Sequence, residues 1–286
     1  MRQFFKKNYS ILFVRSNTVL LLLPLVVYLC IFYLYQMVQM VGQSLFDPNF
    51  TLKNYRSFLE INAYQKVMIN TFVIAFFTTV FCILLGYPVA YLMCAVSPKV
   101  SQVIMFLIVV PFWISLLVRS YAWMVLLGRN GIINQLLLAA KIVNSPLPMM
   151  HNRFGVYVGM VNVLLPFMIF PLFSVMKGID KNLIKAAYIL GTPPWKAFMK
   201  VFFPLSLAGV AGGGLLVFII ALGFYITPAL LGGPKDTMIS LLIQAQVEEL
   251  LNWGFGSALA TILLICALIV FVIYNRFLGI DKITNQ

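Results

Sequence analysis

Acidic side chains are scarce in this chain: 7 Asp and Glu stand against 20 Lys and Arg in 286 residues, and histidine occurs once, at His151. A single histidine leaves almost nothing from which to assemble a His-based zinc centre or a catalytic dyad. The 4 cysteines, Cys30, Cys82, Cys94 and Cys266, lie inside apolar stretches without paired or metal-like spacing, so they read as small hydrophobes and imply no disulfide framework. No Gly-x-x-x-x-Gly-Lys-Ser/Thr phosphate cradle occurs. Gly212-Gly213-Gly214 has no lysine after it, so the chain is not expected to bind ATP itself. Internal repeats, low-complexity tracts and a soluble domain are also missing, which leaves a single membrane domain over 1–286 as the expected organisation.

Apolar residues make up 62% of the chain and charged residues only 9%, the composition of an integral membrane protein. The net charge of +13 is dispersed through loops between apolar blocks, with no basic stripe, so nucleic acid is not an expected partner and membrane lipid is. Stretches long enough to cross a ~30 Å hydrocarbon core at ~1.5 Å per residue run over 18–40, 72–96, 103–127, 156–176, 209–231 and 255–277. The first exceeds a signal-peptide core and has no small-residue cleavage site, so it is expected to remain as an uncleaved helix.

Six crossings put both termini on one side. With a cytoplasmic N-terminus over 1–17, twelve of the 20 basic residues lie inside with two acids, and eight lie outside with five acids, in the sense of the positive-inside rule. Tyr121, Trp123 and Trp253 suit the aromatic belt at the outer interface. The outer connection carries an apolar stretch at 132–143 that is too short to cross, followed by Ser145-Pro146-Leu147-Pro148, and reads as a short interfacial helix and a turn.

Within the spans, Pro111, Pro166, Pro171 and Pro228 remove backbone donors at a depth where only protein or a water-filled cavity can satisfy the freed carbonyls. Four such residues over three consecutive crossings point to helices that surround a pathway and bend. The spans contain no acid, and their one clearly internal cation is Arg119, ~24 Å up a straight third helix. Two readings stand for it: snorkelling to the outer interface, or lining the outer mouth of a pathway. Trp113, Asn162, Phe224, Tyr225 and Thr227 are the remaining candidate lining residues, although Asn70, Asn162, Tyr225 and Thr227 read first as interhelical hydrogen bonds and only second as pathway lining. The glycine run 212–214 fits close helix packing.

Between the fourth and fifth crossings the chain reads Lys185-Ala186-Ala187, three residues, Gly191, nine residues, then Val201-Phe202-Phe203-Pro204. Small residues permit close helix docking, Gly191 before Thr192-Pro193-Pro194 is a helix stop, and Pro194 can open a second helix. This element resembles the cytoplasmic signature of binding-protein-dependent ABC importer permeases, Glu-Ala-Ala, three residues, Gly, nine residues, Ile-x-Leu-Pro. Lys185 stands at the usual Glu, Val201 at Ile and Phe203 at Leu, and only the first of these reverses a charge. Val110-Pro111-Phe112-Trp113 through Arg119, Leu164-Leu165-Pro166-Phe167-Met168 through Pro171, and the segment from Pro228 to Asp236 look like the spermidine/putrescine branch.

The resemblance implies an all-α integral membrane protein with six transmembrane helices in the type I ABC importer permease fold. Its permease core would span 60–277 and its cytoplasmic coupling loop 178–207. Lys185, Ala186, Ala187, Gly191 and Pro204 would form the contact with a cytoplasmic ATPase. ATP and Mg would bind partner subunits, no cofactor this chain. The implied complex holds a second, different permease, two ATPases and an extracytoplasmic solute-binding protein in a bacterial inner membrane. The implied cargo is a polyamine, with an opine or another small organic solute as the alternative. An ATP-independent channel or secondary transporter is the competing class, and an intramembrane enzyme lacks converging reactive groups.

Overall fold

A computed structural model of the chain describes residues 22–46 and 49–278. The expectations for 1–17, Asp47, Asp281 and Lys282 fall outside the described residues. Backbone donors and acceptors in hydrocarbon must be satisfied within their own segment, and the regular elements among the described residues are helices. In order they are α1 (Leu22–Leu45), α2 (Lys53–Glu60), α3 (Asn62–Ala95), α4 (Pro98–Val109), α5 (Leu116–Leu127), α6 (Ile132–Ala139), α7 (Arg153–Gly178), α8 (Lys181–Ile189), α9 (Pro194–Leu222), α10 (Ile226–Leu231), α11 (Ile239–Gln244) and α12 (Trp253–Leu278). Five of these, α1, α3, α7, α9 and α12, are long and apolar enough to cross a membrane, and α4 with α5 and α6 makes a sixth if counted as one bent span.

The centre is built by α3, α7 and α9. Met168 on α7 is fully buried between two glycines: a Cβ at Gly86 of α3 would lie 3.0 Å from its Cγ, and one at Gly213 of α9 2.9 Å from its Sδ. Gly209, one turn before Gly213, meets Leu172 Cα at 3.1 Å by the same construction, so glycines four apart bring α9 onto α7. Gly212 faces open space, so the close approach within 212–214 belongs to Gly213. α1 packs along α12, and its most apolar stretch is wholly exposed.

Two expected crossings are not straight. The third breaks after a 3-10 turn at Val110–Trp113, and the segments Pro98–Trp113 and Leu116–Ala139 meet at 99°. Pro111 supplies no N–H inside that turn, and Ile114 and Ser115 are extended, so the ladder stops instead of merely kinking. Arg119 therefore lies on a redirected segment, and the straight-helix height of ~24 Å does not apply. The fifth ends at Leu222, and Pro228 belongs to the separate short α10. Ser240 Oγ donates to the Phe224 carbonyl at 2.7 Å, satisfying an acceptor exposed by this break. Pro166 and Pro171 lie inside the continuous α7. In the connection between α5 and α7 a short helix, α6, forms over Ile132–Ala139, shorter than the apolar stretch at 132–143, and buried Asn134 pins the turn behind it, bonding Leu147 N at 2.8 Å, Leu147 O at 3.0 Å and Gly128 O at 3.1 Å.

Candidate coupling element and pathway

Local chemistry closes α8 at both ends. Asp180 Oδ1 accepts from Asn182 N at 2.9 Å at the start. At the finish Gly191 N donates to Tyr188 O at 2.9 Å and Thr192 N to Ala187 O at 3.0 Å, with Gly191 at φ +77°. These are the paired bonds of a Schellman ending, and the left-handed residue is the glycine the sequence puts there. Pro194 then opens α9 from an extended Pro193.

The tip of this elbow is apolar and bare. Ile189 is 85% and Leu190 84% exposed, and Trp195 is exposed beside them, its ring 5.4 Å below Lys196 Nζ. Ala187 is half-buried and Ala186 exposed, while Lys185 lines a cleft at the root of the elbow. The far end of the motif turns inward. Phe202 is buried, and Phe198 and Phe202 meet Tyr91 of α3 edge-on at 5.4 and 5.2 Å. Tyr87 OH and Ser206 Oγ are 2.8 Å apart. Pro204 follows a π-helical turn over Phe198–Phe202, which widens the ladder just where a proline ring would crowd it.

The broken-off pieces of the third and fifth segments pack on one another. α10 sits against α5 and against α7, where Gly155 and Gly159 make the room: a Cβ at Gly159 would stand 2.4 Å from Thr227 Cγ2. Thr227 is fully buried, and its Oγ1 lies 3.4 Å from Ser120 Oγ. Next to Ser120, Arg119 keeps Nε and Nη1 buried without a hydrogen-bond partner among the described residues. Of the sequence candidates, Thr227 thus meets α5 at Ser120, the residue after Arg119. Trp113 is 77% exposed on the other side of the bend, Phe224 and Tyr225 occupy the break before α10, and Asn162 is half-buried on α7.

At the end opposite α8, a polar clasp escaped the sequence reading. Arg153 Nε donates to Asp236 Oδ1 at 3.2 Å, Arg153 Nη2 bonds Asn70 Oδ1, and Asn70 Nδ2 donates to Thr237 O at 3.0 Å. Asp236 is buried and also accepts from Gly233 N at 3.2 Å. Thr71 Oγ1 accepts from Ile239 N at 2.8 Å, so the first turns of α3 hold the start of α7 and the loop after α10 together. The cue in the sequence was Asn70, a candidate for interhelical hydrogen bonds, which here bonds Arg153 of α7 and Thr237.

The model of the family described as "Binding-protein-dependent transport system inner membrane component" matches residues 5–279. The spermidine/putrescine transport system permease protein PotB of Haemophilus influenzae is 34% identical over 246 residues, 86% of this chain and 84% of that protein. PotB of Escherichia coli is 34% identical over 227 residues, 79% of this chain and 82% of its own length. A solved bacterial ABC transporter involved in the import of the acidic polysaccharide alginate shares the fold, with TM-score 0.75 over 93% of this chain and 96% of that chain, at 16% identity. The bent third segment, the elbow between α7 and α9 and these matches agree: the chain belongs to the binding-protein-dependent inner membrane component family, as a non-catalytic permease subunit of an ABC importer.

Proposed function

We propose that this permease forms part of an inward pathway for polyamines of the spermidine/putrescine class. The observation that carries the cargo is the 34% identity to PotB across 86% of the chain. In this reading α8 faces the cytoplasm, both termini lie on that side, and ATP with Mg is held by two partner ATPases. A second, different permease completes the pathway, and an external binding protein delivers solute. The bare Ile189–Leu190 tip, with Ala186, Ala187 and Gly191 behind it, is the docking knob, and its exposed apolar surface is the kind that marks a protein contact.

The geometry supplies a route for force. A push on α8 reaches α3 through Phe198, Phe202, Tyr87 and Tyr91. Tyr87 and Tyr91 lie 17 and 21 residues along α3 from Asn70, so at ~1.5 Å per residue the helix carries displacement over ~25 to 30 Å to the clasp of Asn70, Arg153 and Asp236. That clasp holds the loop behind α10, whose Thr227 meets Ser120 of α5, the residue after Arg119. Reversing a 99:1 preference between two bundle states takes ~5.5 kcal/mol of differential binding. A helix closed at both ends can deliver it; a frayed one would dissipate it.

Vesicles holding the full complex should take up labelled spermidine only with ATP inside and binding protein outside. Equal uptake without the ATPase would overturn the coupling, and ATP-driven uptake of other solutes but never polyamines would overturn the cargo. A second cargo reading rests on Arg119: a half-buried guanidinium whose Nε and Nη1 have no hydrogen-bond partner among the described residues suits a carboxylate-bearing solute such as an opine. An affinity screen of the binding protein separates the two.

A further inference from the structure

At the root of the elbow a cleft of about 790 Å³ opens between the last turn of α3, the first turns of α4, the end of α7, α8 and the start of α9. Its walls carry Met105, Phe173, Phe198 and Phe202, and its rim carries Lys177, Lys181 and Lys185. The three lysines recur every four residues across the junction of α7 and α8, and no acid lines the cleft. Among the described residues none of them forms an ion pair; Lys177 Nζ instead stands 5.6 Å over the Phe173 ring. Asp180, the acid closest in sequence, is turned to the backbone of Asn182.

We infer that this cleft is a binding site for an anionic phospholipid, whose headgroup phosphate sits among Lys177, Lys181 and Lys185 while its acyl chains lie along Met105, Phe173 and Phe198. Basic pockets between transmembrane helices at the membrane surface recognise anionic headgroups in this way. Three uncompensated ammonium groups repel a polycation, so the cleft does not serve as its exit. The inference rests on the reading that α8 faces the cytoplasm, which assigns the lipid to the inner leaflet. Because α8 forms one wall, the lipid props the docking helix from behind.

The test uses the assembled transporter in phosphatidylcholine nanodiscs doped with phosphatidylglycerol, with retained lipid read by native mass spectrometry. The parent complex should keep phosphatidylglycerol, and Lys177→Gln and Lys181→Gln should each weaken retention about fivefold, multiplying in the double variant. Retention by the double variant equal to the parent's overturns the site. So does displacement by inorganic phosphate irrespective of acyl chains, or carbodiimide cross-linking of Lys181 to an ATPase carboxylate. An unchanged unfolding temperature shows that the variants fold. Labelling of Ile189→Cys from either side of sealed vesicles, with the ATPases stripped off, separates the two ideas. Reaction from the outside sinks the cytoplasmic reading along with the inner-leaflet site, whereas reaction from the inside without lipid retention sinks the lipid site alone.

Discussion

Gly191 shows how much one backbone angle can carry. An added Cβ there meets nothing within 4 Å, so the constraint is the φ of +77° alone. Asparagine, which tolerates that region, should keep uptake near the parent level, whereas valine should cost ~1 to 2 kcal/mol locally and abolish coupled uptake in vesicles while the protein still inserts. A tryptophan at Ala187 should do the same by blocking the docking face. Arg119 is a second such residue. Arg119→Gln should lower uptake by roughly tenfold or more if the guanidinium meets a partner in the assembled pathway, and transport at the parent rate would reduce it to an interfacial anchor. The elbow residues were legible because their constraints are local: a spacing, a glycine and a proline pair fix the helix end whatever surrounds it. Arg119 was legible as an oddity, but the contact of the next residue, Ser120, with Thr227 was not, because it depends on a bend produced by packing.

Among the elements, the breaks at 113–116 and 223–226 matter most. Composition could not reveal them, since an apolar stretch of given length looks the same whether it crosses straight or turns by 99°. What stabilises the breaks lies elsewhere in the chain: Gly155 and Gly159 on α7 seat α10, and Ser240 takes up the Phe224 carbonyl. Gly159→Leu should therefore drive α10 off its seat at a cost of ~1 to 3 kcal/mol, seen as a lower unfolding temperature in detergent, while Gly212→Ala should leave it unchanged. Thr227→Val, which deletes only the hydroxyl bond to Ser120, should cost ~0.6 kcal/mol. The clasp of Asn70, Arg153 and Asp236 was hidden for the same reason, its members lying 83 and 167 positions from their partners.

Across the whole molecule, hydrophobic length and charge distribution gave the membrane class and the number of crossings, because both follow from the bilayer as solvent. Spacing in the elbow gave the family. The stacking of α3, α7 and α9 is partly visible in the glycines: the run 212–214 stands out in the sequence, while the close contacts use Gly209 and Gly213. Met168 lies where those three helices meet, held between Gly86 and Gly213. Methionine is unbranched and soft, so a hub of this kind behaves like a greased bushing: the rods around it can slip by fractions of a turn without opening a void. Met168→Ile, stiff at its branch, should slow turnover in vesicles while leaving the unfolding temperature equal or higher. Sliding among the three central helices would then turn on a single thioether.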